Sequence, residues 1–328
     1  QALVNVQQTI ARGSAGTDIN AIPVTAIERI EVLRDGAAAQ YGSDAIAGVI
    51  NIVLKKQTKE TQLFFEAGQT REGDGTVLHG GLNHGFALGD DGFLNVSVEY
   101  RDREETNRAG PDTLRVDPPR VTQRIGDADA KDAYLWLNGG IVLGGGELYW
   151  FGGLSQRKGD SSGFYRSAGD GRTVPELYPN GFLPNIITTV EDGSLAVGYR
   201  SQIGDTWDWD VSVNHGRSKF GFFERNSVNV SWWYEPNPII GAPIPVPYRQ
   251  SPTSADTGTL KFDQTTVNLD FRGSIEIGSS EPLSLAVGGE YRNENYAIEA
   301  GDPVSYSYGR TNNPAIIILN QNGGFAAP

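Results

Sequence analysis

The chain has 328 residues, a net charge of −13, 42 glycines, and neither cysteine nor methionine. Lack of cysteine excludes disulfides, thiolate metal sites and cysteine nucleophiles, and the acidic balance speaks against nucleic acid, whose binding relies on basic patches. No run of about 18 apolar residues is present, so no membrane-spanning helix is expected, whereas a membrane β-barrel stays open because alternating strands never build a hydropathy peak.

In chain order, the polar stretch Ala11–Asn20 comes first, followed by Ile22-Pro23. Pro23 presets φ for a short helical turn over Val24–Ile27. Glu28–Arg34 reads as a strand with Ile30, Val32 and Arg34 on one face. Asp35-Gly36 is a turn signal, and Val49–Leu54, rich in β-branched residues, reads as a fully buried strand. Arg29, Glu31 and Arg34 need partners if buried; the alternative is solvation at the surface.

Beyond residue 57 the period changes to two. Phe93–Arg101 sets Leu94, Val96, Val98 and Tyr100 against Asn95, Ser97, Glu99 and Arg101. Leu195–Ile203, Trp207–His215, Thr265–Ile277 and Leu283–Arg292 alternate the same way, and Thr61–Gln69, Val77–Leu88, Ala133–Leu143 and Glu147–Arg157 less strictly. That makes about nine strands, most near the 9–11 residues that cross a bilayer at a tilt. Alternation alone leaves a soluble sandwich and a barrel both open. Connection lengths separate them. Gly89–Gly92, Gly144–Gly146, Gly204–Thr206 and Gly278–Pro282 are tight turns, and between them lie the long polar connections Asp102–Lys131, Lys158–Thr188 and Asn226–Thr257. Strict alternation of short and long connections is the habit of outer-membrane barrels. With the modest Thr70–Thr76 taken as an outer loop, the first strand runs outward.

Catalytic chemistry finds little support. His79 and His84 are five apart, so on one strand they face opposite sides and share no metal. Gly139–Gly146 leads into a hairpin turn, not a helix, and forms no phosphate cradle. Carboxylate pairs such as Asp127/Asp129 are better read as solvated acids than as a calcium site. No enzyme activity, cofactor or metal is expected.

Ile22-Pro23, Ile27–Arg34, Tyr41-Gly42 and Gly48–Ile52 together resemble the C-terminal part of the plug domain of TonB-dependent outer-membrane receptors. That family usually reads Arg-Gly-Pro where this chain has Arg34-Asp35-Gly36, a form that a large subgroup carries. The resemblance implies a mainly β fold: an antiparallel transmembrane barrel, typically of 22 strands, enclosing a small α/β plug. The division expected is residues 1–57 for plug and 58–328 for barrel wall. Nine strands cannot close such a barrel, so the chain is expected to be an interior portion of a larger receptor, and without an initiator methionine no signal peptide is sought in it.

The resemblance further implies a location in the Gram-negative outer membrane, contact with its lipid, and energisation by TonB with ExbB/ExbD through a plug segment N-terminal to this sequence. The loop at Arg12, Ser14, Thr17 and Asp18 is expected to touch ligand, with an ordinary solvated loop as the alternative. Arginine of the plug strand is expected to meet glutamates on the inner wall, which nominates Arg29, Glu31 and Arg34 against Glu99 and Glu290 as a plug–barrel lock. From the loops, Trp232, Trp233 and Tyr234 offer aromatic faces for flat chelates or sugar rings, as do Tyr165, Tyr178, Phe182 and Tyr248. A secreted soluble β protein that binds or degrades carbohydrate is the alternative class, and a passive porin is opposed by the plug sequence.

Overall fold

A computed structural model describes residues 18–34, 47–234, 251–278 and 282–309, plus the backbone of two short paired strands, β1 (Gln7–Gln8) and β2 (Ala15–Gly16). Arg12, Ser14, Thr17, Asp35-Gly36, Tyr41-Gly42 and Tyr248 lie outside the described residues. Two 3₁₀ turns, Ile19–Ala21 and Val24–Ala26, lead into β3 (Ile27–Leu33), which pairs antiparallel with β4 (Val49–Leu54). Pro23, at φ −68°, sits immediately before the second turn, as its fixed φ favours.

The rest is one nine-stranded antiparallel sheet in strict sequence order. Its strands are β5 (Thr61–Gly68), β6 (Val77–Leu88), β7 (Gly92–Arg103), β8 (Asp129–Leu143), β9 (Gly146–Ser162), β10 (Asn185–Ile203), β11 (Trp207–Arg225), β12 (Ser254–Ile275) and β13 (Leu283–Glu299). Every neighbour is a hairpin partner, and the tight turns all fall at one end. Each of these turns carries a glycine at positive φ (Gly89, Gly144, Gly204, Gly278), a conformation that costs other residues steric strain. The long connections at the opposite end carry two helical turns, α1 (Val230–Trp233) and α2 (Pro303–Tyr306).

The two faces of the sheet are reversed relative to a soluble domain. Asn83, Asn95, Ser97 and Asp132 are buried on the concave side, while Leu135, Leu154, Leu195, Val213 and Leu269 are exposed on the convex side. A sandwich would bury the apolar face; a polar interior with an apolar exterior belongs to a barrel wall in lipid. The expected mainly β barrel-with-plug architecture is observed.

Two expectations need correction. Strands β8 to β13 have 15 to 22 residues, longer than a bilayer crossing needs. Above the apolar band large apolar residues fall on both faces (Ile186 and Ile187, Phe222 and Phe223), so periodicity fades while backbone pairing continues. Asn185–Val190 and Ser218–Arg225 are therefore paired strand, though the former lies largely within the stretch read as a connection. Second, β4 is not fully buried: Ile50 is 60% exposed, and Ile30 and Val32 opposite are also exposed. Only the Ile27–Leu54 end of this ribbon is packed, through Ile27, Ile52 and Leu54, while Ile30, Val32 and Ile50 on the same face are left uncovered.

Candidate functional site

The residues following Asp18 rest on the concave face of β6 to β9. Asp18 caps the first 3₁₀ turn: its Oδ1 accepts from the backbone N–H of Asn20 at 2.9 Å and from Asn20 Nδ2 at 2.7 Å. Its Oδ2 accepts from Arg157 Nη1 on β9 at 3.2 Å. Register then extends the chain of charges. Arg101, Asp132 and Arg157 are direct neighbours across β7, β8 and β9. Arg157 Nε donates to Asp132 Oδ1 at 2.5 Å, and Arg101 Nε and Nη2 donate to Oδ2 at 2.9 and 2.6 Å. Asp132 is wholly buried. A carboxylate so placed is tolerable only when both oxygens are engaged by cations in good geometry, and here both are.

A second anchor lies 7 residues along the plug. The backbone N–H and hydroxyl of Thr25 both donate to Glu99 Oε2, at 3.0 and 3.1 Å, and His79 Nε2 lies 2.8 Å from Glu99 Oε1. Gly81, beside Glu99 in register, lets Thr25 come this close. A Cβ there would stand 2.4 Å from the Thr25 methyl. Farther on, the exit segment is held by its backbone: Asn138 Nδ2 donates to the Lys55 carbonyl at 2.7 Å and Asn95 Nδ2 to the Gln57 carbonyl at 2.8 Å. The apolar part of the contact is small, with Ile22 and Ala26 against Trp136. Trp136 lies flat because Gly153, its neighbour across the strand pair, has no side chain to displace it.

These contacts differ from the expected lock. Asp18, expected to touch ligand, is tied to the wall through Arg157. Arg29 and Glu31 pair with each other at 2.7 Å on an exposed surface, and Glu31 also accepts from Asn51. Arg34 is exposed and ion-paired with no described residue, and Glu290 pairs with Arg292 of its own strand at 2.8 Å. Glu99 does meet the plug, through Thr25 and not through an arginine. Arg101, Asp132, Arg157, Thr25, Gly81, Asn95 and Asn138 were not singled out as plug contacts. One signal was available: Arg101 and Arg157 stand on the polar faces of their strands, where a lumen-facing cation calls for an anion.

At the outer end, Asn229 caps α1, accepting from the N–H groups of Ser231 and Trp232, and its Nδ2 donates to the carbonyls of Val304 and Ser307. This ties Trp232 and Trp233 to the loop after β13, and Trp233 is buried. Tyr234 donates to Glu176 Oε2 at 3.1 Å; burial first, then that carboxylate, pushes its phenol up to about 12. A cleft of about 520 Å³ lies between the loops after β7 and β9, lined by Arg120, Arg124, Tyr165, Phe182, Asn185 and Arg225. Near the first loop, Arg108 clamps Asp74 from two nitrogens while Thr70 and the Asn107 N–H donate to the same carboxylate. The Arg108 hydrogen bonds, then those of Thr70 and Asn107, hold Asp74 well below the usual aspartate range.

Residues 4–49 match the TonB-dependent Receptor Plug Domain family. The chain is 37% identical over 89 residues to the vitamin B12 transporter BtuB of Vibrio cholerae serotype O1, covering 27% of this chain and 14% of that protein. It is 61% identical over 44 residues to PirA of Acinetobacter baumannii, a probable TonB-dependent siderophore receptor, covering 13% of this chain and 6% of that protein. The crystal structure of the siderophore receptor PirA from the same organism superposes with a TM-score of 0.55 at 20% identity, over 89% of this chain and 38% of that one. The chain thus spans a minor share of each relative's length. Plug match, inverted wall and fold likeness converge: residues 4–49 match the plug domain of TonB-dependent receptors, and the strands that follow share the fold of an outer-membrane barrel wall.

Proposed function

We propose that this chain is the gate-bearing portion of an active importer, with plug at residues 1–57 and wall at 58–328. A scarce ligand, an iron–siderophore chelate or a cobalamin as in the relatives' names, binds on the outer side among the loops. TonB, driven by ExbB/ExbD, then pulls on a plug segment N-terminal to this sequence and opens a path inward. Arg12, Ser14 and Thr17 of the plug loop and Trp232, Trp233 and Tyr234 of the outer loop are the proposed ligand contacts. The mechanism is binding and gating, with no covalent chemistry.

The observation that supports this reading is how the plug is held. Directional polar contacts (Asp18 to Arg157, Thr25 to Glu99, Asn138 and Asn95 to backbone) run along the seam, and among the described residues the apolar patch is Ile22, Ala26 and Trp136 with a few flanking residues. Such contacts hold firmly in one geometry and exchange for water when displaced, since hydrogen bonds within protein and to water nearly balance. A plug seated by a broad apolar core would resist extraction. The test is uptake of radiolabelled ferric siderophores and of cyanocobalamin by cells bearing the full-length receptor, with and without TonB. Saturable, TonB-dependent uptake of one of them is expected. Uptake that is equal without TonB would overturn the active-import reading.

A further inference from the structure

The loop after β9, residues 163–184, folds back on itself at the outer end of the wall. Near its base the Arg166 N–H donates to the Phe182 carbonyl at 2.8 Å and the Phe182 N–H to the Arg166 carbonyl at 2.9 Å. Val174 is wholly buried, and the Tyr178 ring stacks on Phe182 with centroids 4.3 Å apart. Two contacts seat this loop against the loop after β11. The Tyr178 hydroxyl donates to the Ser227 carbonyl at 3.3 Å, and Tyr234 donates to Glu176.

Glu224 lies where these two loops meet. Near the outer end of β11, it shares the inward face with the buried Ser212 and Ser218, since side chains on a strand repeat every two residues. It is 6% exposed, and its Oε2 is buried with no hydrogen-bond donor among the described residues. Its cross-strand neighbours, Ile186 on β10 and Ala255 on β12, are apolar. Two groups favour its charged form: the Ser227 hydroxyl from the loop after β11, and the Arg166 guanidinium from the loop after β9, which acts through space without forming an ion pair. Arg166 itself is acted on by Arg172 and Asp170 of its own loop. A carboxylate out of water needs full pairing, and this one lacks it. Burial therefore outweighs both neighbours and pushes the Glu224 carboxyl up to about 7.

We propose that Glu224 is a proton-operated latch at the outer mouth: protonated, it lets the loop after β9 stay seated against the loop after β11, and ionised, it releases that loop. A neutral carboxyl can remain between Ile186 and Ala255. An ionised one is stable there only once water reaches it, which requires the segment carrying Arg166 and Tyr178 to lift. The seated loop thus binds this proton more tightly than the open one. Its stabilisation is complete below the ordinary glutamate value of about 4.3 and is lost as pH rises through about 7. Release uncovers the inward face of the wall where ligand would enter; that consequence rests on the import reading above, whereas the latch itself does not.

The test is hydrogen exchange on the full-length receptor in micelles, without ligand or TonB, read on peptides within residues 163–184 and corrected for the intrinsic pH dependence of amide exchange. Heat-modifiable migration on gels verifies that each variant is a folded barrel. Between about pH 5.5 and 7.5, protection of the parent loop is expected to fall about tenfold, while peptides from the inner half of β10 change little. Glu224→Gln, neutral at every pH, is expected to give a flat profile. Arg166→Gln removes the cation that favours ionisation, so the fall should move to higher pH, a shift that loss of packing alone would not produce. Equal protection of the parent loop at both ends of the range overturns the proposal, as does a Glu224→Gln variant that keeps the parent's fall. Because transport is not the readout, a failure of the import reading would leave this result standing.

Discussion

Asp18→Asn separates the electrostatic anchor of the plug from its local structure. Asparagine caps helical turns as well as aspartate does, so the bonds to Asn20 persist while the charge facing Arg157 is lost. Side chains at this contact are well buried, 24% exposed for Arg157 and 7% for Asp18. A hydrogen bond to a charged group contributes about 1.5–3 kcal/mol. Arg157 keeps Asp132, so no cation is orphaned, and the low end applies: about 1.5 kcal/mol, or roughly tenfold in the balance between seated and released plug. Arg157→Met is expected to cost more, about 3–5 kcal/mol, because the wholly buried Asp132 is then left to Arg101 alone. Hydrogen exchange on the full receptor in micelles, read on peptides within residues 18–34, measures both. In the Arg157→Met background, Asp18→Asn should add little. Arg34→Glu, on an exposed residue, should leave exchange and passive solute leakage near the parent. Unchanged exchange in Asp18→Asn, or strictly additive effects in the double variant, would refute the anchor.

Three further outcomes are expected. Gly81→Ala pushes a methyl against the Thr25 side chain and the Phe64 ring, costing about 1–3 kcal/mol as overpacking; thermal melts should show the loss, and adding Thr25→Ser should recover the part due to the Thr25 methyl, leaving the Phe64 contact. Asn229→Ala removes the cap of α1 and two bonds to the loop after β13, about 2–3 kcal/mol locally, so peptides covering residues 229–234 should exchange faster while those of β10 and β11 do not. The Asp74–Arg108 clamp has a depressed carboxylate, so its stabilisation is present above the ordinary aspartate value of about 3.9 and is lost only as pH falls through the lower folded value. Nuclear magnetic resonance titration of the carboxylate should find it ionised across pH 4 to 3, and Asp74→Asn should abolish the protection of the loop at all pH values.

Much of the architecture could be read from residues alone. The switch from the Ile22–Leu54 pattern to strict alternation marks where plug gives way to wall, and the glycine turns against long polar connections set the direction of the strands. Alternation works as a signal because a wall in lipid must present opposite chemistries on its two faces. It fails above the lipid, where water bathes both faces and Asn185–Val190 and Ser218–Arg225 carry no such contrast. The outer reach of β10 and β11 therefore went unread.

The plug–wall contact was decided by tertiary structure. Glu99 was named from its lumen-facing position, yet its partner is Thr25, a neutral residue whose backbone N–H is half of the interaction. Asp18 was expected to touch ligand from the plug resemblance, and its bond to Arg157, 139 residues away, could not be read from the sequence. Composition and period determine which face a side chain takes, because a strand repeats every two residues whatever its neighbours. Which residue of a separate segment comes to rest on that face depends on register among β6 to β9 and on gaps such as Gly81, and both exist only once the strands are paired.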